Sequence, residues 1–260
     1  MGSVQGIAGH ISQGNPRWAQ GNLPTTSVLS YGGGVNTTAL MVMLVRKKMP
    51  FDVAVFADTG GELPETYRYL DVARRYLDRH GIELKIVRSK NGTLYDTCKR
   101  RKVIPSRVWR WSTRDYKITP IHAYYRSLGT RICEYMGIAY DEISRIKASK
   151  EDYITSEFPL VDWKMTRADC IETVKRAHLP IPVKSGCYFC PFQDIPRWQS
   201  LHNKHPELFR KAMKLEETSK HFPDQKLNDH TLRGLMRIKF RLGTPIPTPS
   251  DDPCGAYCMT

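Results

Sequence analysis

Around residue 30 a short apolar stretch, 27–30, runs into Gly32, Gly33 and Gly34, and Asn36 then opens an apolar helix that continues through Val45. A strand that turns through consecutive glycines straight into a helix begins a βα unit, because glycine takes tight-turn backbone angles without a Cβ penalty. The helix is apolar around most of its girth, so it must be covered on more than one side. A second strand, 52–57, ends at Asp58-Thr-Gly-Gly61, and a second helix begins near Pro64. Leu63, Tyr67, Leu70, Ala73 and Leu77 recur there at helical spacing, with Glu62 and Glu65 at the start and Arg79, His80 and Gly81 at the end. Residues 82–87 read as a third strand and 135–139, after a basic helical region, as a fourth. The alternation predicts an α/β fold, an open parallel sheet with helices on both faces and ligands at the carboxyl ends of its strands.

After residue 149 the chain changes to Pro-punctuated helices, expected at 166–178, 195–202, 206–220 and 231–240, and closes in Cys254-Gly-Ala-Tyr-Cys258. The organisation expected is a flexible arm over 1–24, an α/β core over 25–149 and a helical, cysteine-containing region over 150–260 that packs on the ligand edge of the sheet. A hydrophobic content of 40% in 260 residues is enough to bury a core without disulfides. The longest apolar run, 39–45, is far short of the roughly 20 residues that span a bilayer. With no secretory pattern at the N-terminus, a cytoplasmic setting and no membrane partner are expected. Lys and Arg total 40 against 26 Asp and Glu, a net charge of +14 that attracts polyanions. Seven cysteines, an odd number, favour metal or thiol chemistry over a disulfide framework.

Ser30-Tyr-Gly-Gly-Gly-Val-Asn-Thr-Thr38 places glycines and hydroxyls at a helix start, where backbone N–H groups and the helix dipole favour an anion such as phosphate. A tight turn that needs glycine for backbone reasons alone is the plain alternative. No Gly-Lys-Ser/Thr follows, so it is not a P-loop. A dinucleotide-binding loop would use Gly32 and Gly34, with Asp58 on a ribose hydroxyl, but Thr37 stands where its third glycine belongs.

Residues 30–38 resemble the PP-loop of ATP pyrophosphatases and PAPS reductases in the adenine nucleotide α-hydrolase superfamily. Phe56-Ala-Asp-Thr-Gly60 with Glu65-Thr-Tyr67, and Arg114-Asp-Tyr-Lys-Ile-Thr-Pro120, resemble segments of the PAPS reductase branch, and the similarity extends through Ser185-Gly-Cys-Tyr-Phe-Cys-Pro191. The resemblance implies an adenine nucleotide, ATP or PAPS, with its phosphates over Gly32, Gly33 and Gly34 and with Ser30, Asn36 and Thr37 donating to them. It implies that Asp58, Thr59 and Gly60 lie near the ribose or adenine, and that Arg114 and Lys117 neutralise distal phosphate or sulfate. Asn36 stands where the family has Asp, which removes a carboxylate that could contact Mg.

Cys187 and Cys190 have metal-ligand spacing, with Cys170 as a third expected ligand, for a [4Fe-4S] cluster or for zinc. The Cys-Cys pair of cluster-bearing reductases is replaced here by Trp111-Ser112, so Cys254, Cys258 or an external ligand would complete the set; ordinary buried thiols are the plain alternative. The same tail invites comparison with the family's C-terminal thiol nucleophile. Arg and Lys residues from 99 to 117 are interleaved with Trp109, Trp111 and Tyr116, a composition that suits tRNA or DNA, its cations on phosphates and its rings on unpaired bases; the plain alternative is that Trp109 and Trp111 belong to the core and the cations line the nucleotide pocket. The function expected is ATP-dependent adenylation of a nucleic-acid base followed by sulfur transfer, with a sulfur or thiol donor protein as partner and a homodimer as one compatible assembly. The alternatives are PAPS or APS reduction by a thiol nucleophile, and a non-catalytic nucleic-acid-binding module.

Overall fold

The computed structural model describes residues 24–106, 110–147, 149–221, 226–227 and 230–238. The expected arm, Trp109 and the tail cysteines Cys254 and Cys258 lie outside the described residues. In chain order the elements are β1 (Thr25–Ser30), α1 (Val35–Arg46), β2 (Val53–Asp58), α2 (Pro64–Asp78), β3 (Glu83–Arg88) and α3 (Leu94–Arg101). A helical turn Trp111–Thr113 and a π-helical turn Arg114–Ile118 then lead into α4 (Thr119–Leu128) and β4 (Arg131–Met136). After a 3₁₀ turn, Tyr140–Arg145, come β5 (Ile154–Glu157), a helical turn Pro159–Asp162, α5 (Arg167–Arg176), α6 (Ile195–Lys204), α7 (Pro206–Glu217) and α8 (Leu232–Ile238).

The strands form one parallel sheet in the order β3-β2-β1-β4-β5. Ser30, the last residue of β1, is level with Val55 on one side and Met136 on the other. The chain leaves β1 toward β2 and β3, then crosses back to β4. The connections after β1 and β4 therefore diverge and open a crevice at the carboxyl ends of those two strands. Among the described residues no helix is long and apolar enough to cross a membrane.

Two expectations shift. The fourth strand lies at Arg131–Met136 rather than 135–139, because Glu134 interrupts its apolar pattern yet is buried, accepting a 2.8 Å hydrogen bond from Tyr125 Oη. The fifth strand, Ile-Thr-Ser-Glu, carries no alternation to reveal it and lies beyond residue 149. The core about α1 is covered from both sides, since Leu29 and Ala54 of the sheet and Cys170 and Val174 of α5 share it with Leu40 and Met41. A second core gathers Leu94 and Cys98 of α3, Trp111, Tyr116, Tyr188, Phe189, Trp198 and Phe209. Part of the helical region thus completes the sheet layer, and the rest packs beside α3.

Candidate functional site

The glycine loop ends in an uncapped helix. Gly34 precedes α1 with extended backbone (φ −103°, ψ 177°), and no side chain among the described residues caps the first turn. The expected cap, Asn36, instead lies inside the first turn and donates from Nδ2 to Glu142 Oε2 at 2.9 Å. Arg145 Nη1 donates to the same oxygen at 2.7 Å. Asn36 Oδ1 is left buried without a partner. Thr37 turns its hydroxyl inward, donating to Gly34 O at 3.1 Å. Gly33 takes φ +71°, a left-handed value that favours glycine. A Cβ built on Gly137, just past β4, would lie 2.6 Å from Thr37 Cγ2 and 2.8 Å from Thr37 Cα. The exit of β4 therefore presses on the first turn of α1 and sets one wall of the crevice.

The other wall is the loop after β2. Asp58 accepts from Gly60 N–H and Tyr67 Oη, both at 2.8 Å, and from Arg88 at 2.9 Å. Its carboxylate is thus committed to holding this loop. Burial, then the bond to Asp58, push the Tyr67 hydroxyl well above its ordinary range. Thr59 Oγ1 donates to the buried Glu62 at 3.0 Å. Gly60 adopts φ +71°, and a Cβ there would fall 2.6 Å from Thr93 Cγ2. Segment 185–190 packs on both loops. Glu62 bridges Cys187 in antiparallel fashion, Tyr188 N–H donates to Gly61 O at 2.8 Å, and Phe189 would lie 2.8 Å from a Cβ on Gly61. Ser185 Oγ would lie 3.4 Å from a Cβ on Gly34.

Cys187 and Cys190 line a cavity together with Thr59, Arg110, Ser112 and Lys117. Ser112 occupies the Trp111-Ser112 position where the resemblance would place a cysteine pair, so a serine shares the cavity with the two cysteines. Arg114 does not line this cavity. Its side chain is 71% exposed and pairs with Asp115 at 2.7 Å, whose hydrogen bond and then charge hold the guanidinium above its ordinary pKa. Cys170 is placed elsewhere, fully buried under α1, where burial pushes its thiol up to about 12. Among the described residues no three His, Cys, Asp or Glu side chains converge as a metal site. Among the described residues Cys187 and Cys190 supply two thiolates, which is part of the ligand set of a [4Fe-4S] cluster or of a tetrahedral zinc. Trp111 and Tyr116 are core residues, 5% and 1% exposed, and Tyr116 Oη donates to Thr97 Oγ1 at 2.6 Å. They are therefore withheld from stacking on bases, whereas Lys99, Arg100, Arg101 and Lys102 at the end of α3 are exposed.

Sequence reasoning missed Gly137, Glu142 and Arg145, and had Ser185 only as the first residue of a similar segment. The one available signal is for Gly137, a glycine inside the expected strand 135–139, where glycine often marks a bulge or the close approach of another backbone. Glu142 and Arg145 sit in a short polar stretch without periodicity, and their i,i+3 spacing is common on solvated turns.

Residues 26–168 match the family profile described as phosphoadenosine phosphosulfate reductase domain. The chain is 42% identical over 72 residues to phosphoadenosine 5'-phosphosulfate reductase of Thiocapsa roseopersicina, a stretch that is 28% of each protein. The chain thus spans 28% of the length of the curated relatives of this kind that it matches first. Over 199 residues it is 21% identical to an uncharacterized protein of Methanocaldococcus jannaschii, covering 71% of this chain and 40% of that one. Among solved structures, the U34-tRNA thiolase NcsA of Methanococcus maripaludis, with its [4Fe-4S] cluster, overlaps 83% of this chain and 80% of its own at a TM-score of 0.50 and 16% identity. The phosphate complex of PAPS reductase from Candida auris overlaps 64% of this chain and 79% of its own at a TM-score of 0.45 and 20% identity.

Proposed function

Since the chain belongs to the phosphoadenosine phosphosulfate reductase domain family, we propose that it is an adenine-nucleotide-dependent enzyme that adenylates a nucleic-acid base with ATP and exchanges the activated oxygen for sulfur. The observation that carries this reading is the uncapped start of α1 beside a glycine loop at the sheet's switch point, roofed by the segment that bears Cys187 and Cys190. Phosphates over Gly32, Gly33 and Gly34 would meet free helix-terminal N–H groups and the positive end of the helix dipole. Adenylation of a carbonyl oxygen makes it a leaving group, and catalysis then rests on positioning and on neutralising the charge that develops. Thr59 and Gly60 supply backbone for the nucleoside end, with Asp58 and the Thr59 hydroxyl acting through the loop they hold. Lys117 and Arg110 supply positive charge at the thiol cavity.

Mg accompanying the nucleotide would find oxygen ligands in Asn36 Oδ1, buried and unpartnered, and in Glu142, and would supply charge neutralisation at the phosphates. The exposed cations of α3 fit the phosphates of a tRNA or DNA strand, binding that weakens as salt rises. PAPS reduction is the second reading, favoured by the 42% identity to a PAPS reductase. In it a thiol attacks the sulfonate sulfur of PAPS. Pyrophosphate and AMP release from ATP, stimulated by RNA or DNA, is the result expected of the first reading. Thioredoxin-dependent sulfite release from PAPS without ATP turnover would replace it with the second.

A further inference from the structure

We infer that Cys187 and Cys190 form a sulfur-relaying dithiol: Cys187 takes the outer sulfur of a persulfide, and Cys190 then releases it as hydrosulfide, leaving a Cys187–Cys190 disulfide. The inference rests on the sulfur-transfer reading above and names the chemical class of its sulfur source. Three features of the structure carry it. First, the two cysteines stand at the ends of one tight turn, closed by the Cys190 N–H donating to Cys187 O at 3.0 Å. Such a turn brings its end Cα atoms within about 7 Å, and a disulfide needs roughly 4.4–6.8 Å. The turn is pinned by the buried rings of Tyr188 and Phe189 and by Gln193 Nε2, which donates to Tyr188 O at 2.9 Å, so the pair is held together without a metal.

Second, the two thiols differ in access. Cys187 is partly exposed and Cys190 buried, the arrangement of an attacking thiol with a resolving partner behind it. The remaining described cysteines, Cys98, Cys133 and Cys170, are buried in apolar cores that push their thiols up to about 12, 11 and 12. Third, Arg110, Lys117 and Ser112 line the same cavity as the two cysteines. That lining gives an anionic sulfur product compensating charge and hydrogen-bond donors.

The chemistry balances. Cys187 thiolate attacks the outer sulfur of R–S–SH, the S–S bond breaks and R–S⁻ leaves, giving Cys187–S–SH. Cys190 thiolate then attacks Cys187 Sγ, and HS⁻ departs as the Cys187–Cys190 bond forms. The dithiol gives up two electrons and the sulfane sulfur receives them as sulfide. Hydrosulfide is the nucleophile for the adenylated base, and an external dithiol reductant restores both cysteines.

The test uses the full chain, reduced and desalted without oxygen, with glutathione persulfide as the probe and peptide mass mapping as the readout. The unsubstituted chain is expected to release one sulfide per chain while the peptide holding both cysteines loses about 2 Da. Cys190→Ser is expected to trap the intermediate, with about 32 Da added at Cys187. Cys190→Ala is the second variant should the serine form fail to fold, and the sulfide yield needs no variant. Thiols that stay unmodified, sulfur that lands on Cys254 or Cys258 instead, or zinc or iron bound stoichiometrically and lost in Cys187→Ser would each overturn the relay. Calorimetry with ATP and PAPS on the unsubstituted chain separates the two readings. Heat with inert thiols removes the relay alone, and loaded thiols without heat support the relay while removing the nucleotide reading.

Discussion

Replacing Gly137 by alanine tests whether the exit of β4 positions the first turn of α1. The added methyl would stand 2.8 Å from Thr37 Cα and 2.9 Å from Thr37 N, against 3.4–4 Å for ordinary contact. Backbone on one side or the other must therefore retreat by about 0.6 Å, the difference between 3.4 and 2.8 Å. Thr37 is 5% exposed and lies in the first turn of a helix packed on both sides, so little can yield. Overpacking of this kind costs about 1–3 kcal/mol, which lowers Tm by roughly 2–12 °C in a chain of this size. A helix-terminal N–H displaced by that distance moves from about 2.9 Å to the edge of hydrogen bonding with a phosphate oxygen. Loss of one such charge-assisted bond costs about 1.5–3 kcal/mol, or roughly ten- to a hundredfold in Kd. Differential scanning fluorimetry and titration calorimetry with ATP and with PAPS read the two effects. An alanine variant that melts and binds like the unsubstituted chain would refute the placement of β4 against α1.

Gly34→Ala separates binding from folding, because its Cβ meets Ser185 Oγ at 3.4 Å and its φ of −103° suits any residue. Stability should change by less than about 1 kcal/mol, while nucleotide affinity falls at least about tenfold because a methyl occupies the path of the phosphate; calorimetry showing intact affinity would count against the loop as the anion site. Lys117→Ala should slow turnover with ATP or PAPS, whereas Arg114→Ala, losing an exposed partner of Asp115, should leave it near the unsubstituted rate; equal losses in a steady-state assay would contradict this split. Glu65 ties α2 to the helical region through His205 Nε2 at 2.8 Å. Burial raises its carboxyl, but the bond to His205 and the charges of His205 and Arg68 outweigh burial and hold it below its ordinary 4.5. Its contribution is therefore complete above the unfolded value and is lost as pH falls through the lowered one. Glu65→Gln should flatten the acid limb of urea-midpoint curves below about pH 4.5, and an unchanged limb would remove the pair from the acid response. Cys170→Ala should cost about 1–2 kcal/mol by cavity formation and leave metal content and sulfur loading at Cys187 unaltered; loss of either would return Cys170 to the site.

The amino-acid order determined the βα alternation, the glycine turn at 32–34, the helix that begins near Pro64 and the ligand-like spacing of Cys187 and Cys190. Each of these is written in neighbours a few residues apart, in apolar spacing, glycine tolerance and capping charge. Tertiary structure alone decided which of these pieces meet. Segment 185–190 lies some 125 residues beyond the Asp58 loop, and nothing local announces that Phe189 fills the space over Gly61 or that Ser185 reaches Gly34. The exchange of Asn36's expected capping role for a bond to Glu142 is likewise a long-range event, as is the parting of Cys170 from Cys187 into a separate core. Composition placed Trp111 and Tyr116 among nucleic-acid-stacking residues, but an aromatic ring serves a core as readily as a surface, and only the packing of α3 against residues 188–209 assigned them inward. Side-chain chemistry is local, while burial is a property of the whole chain, so the parts of the site could be read from the sequence and their assembly could not.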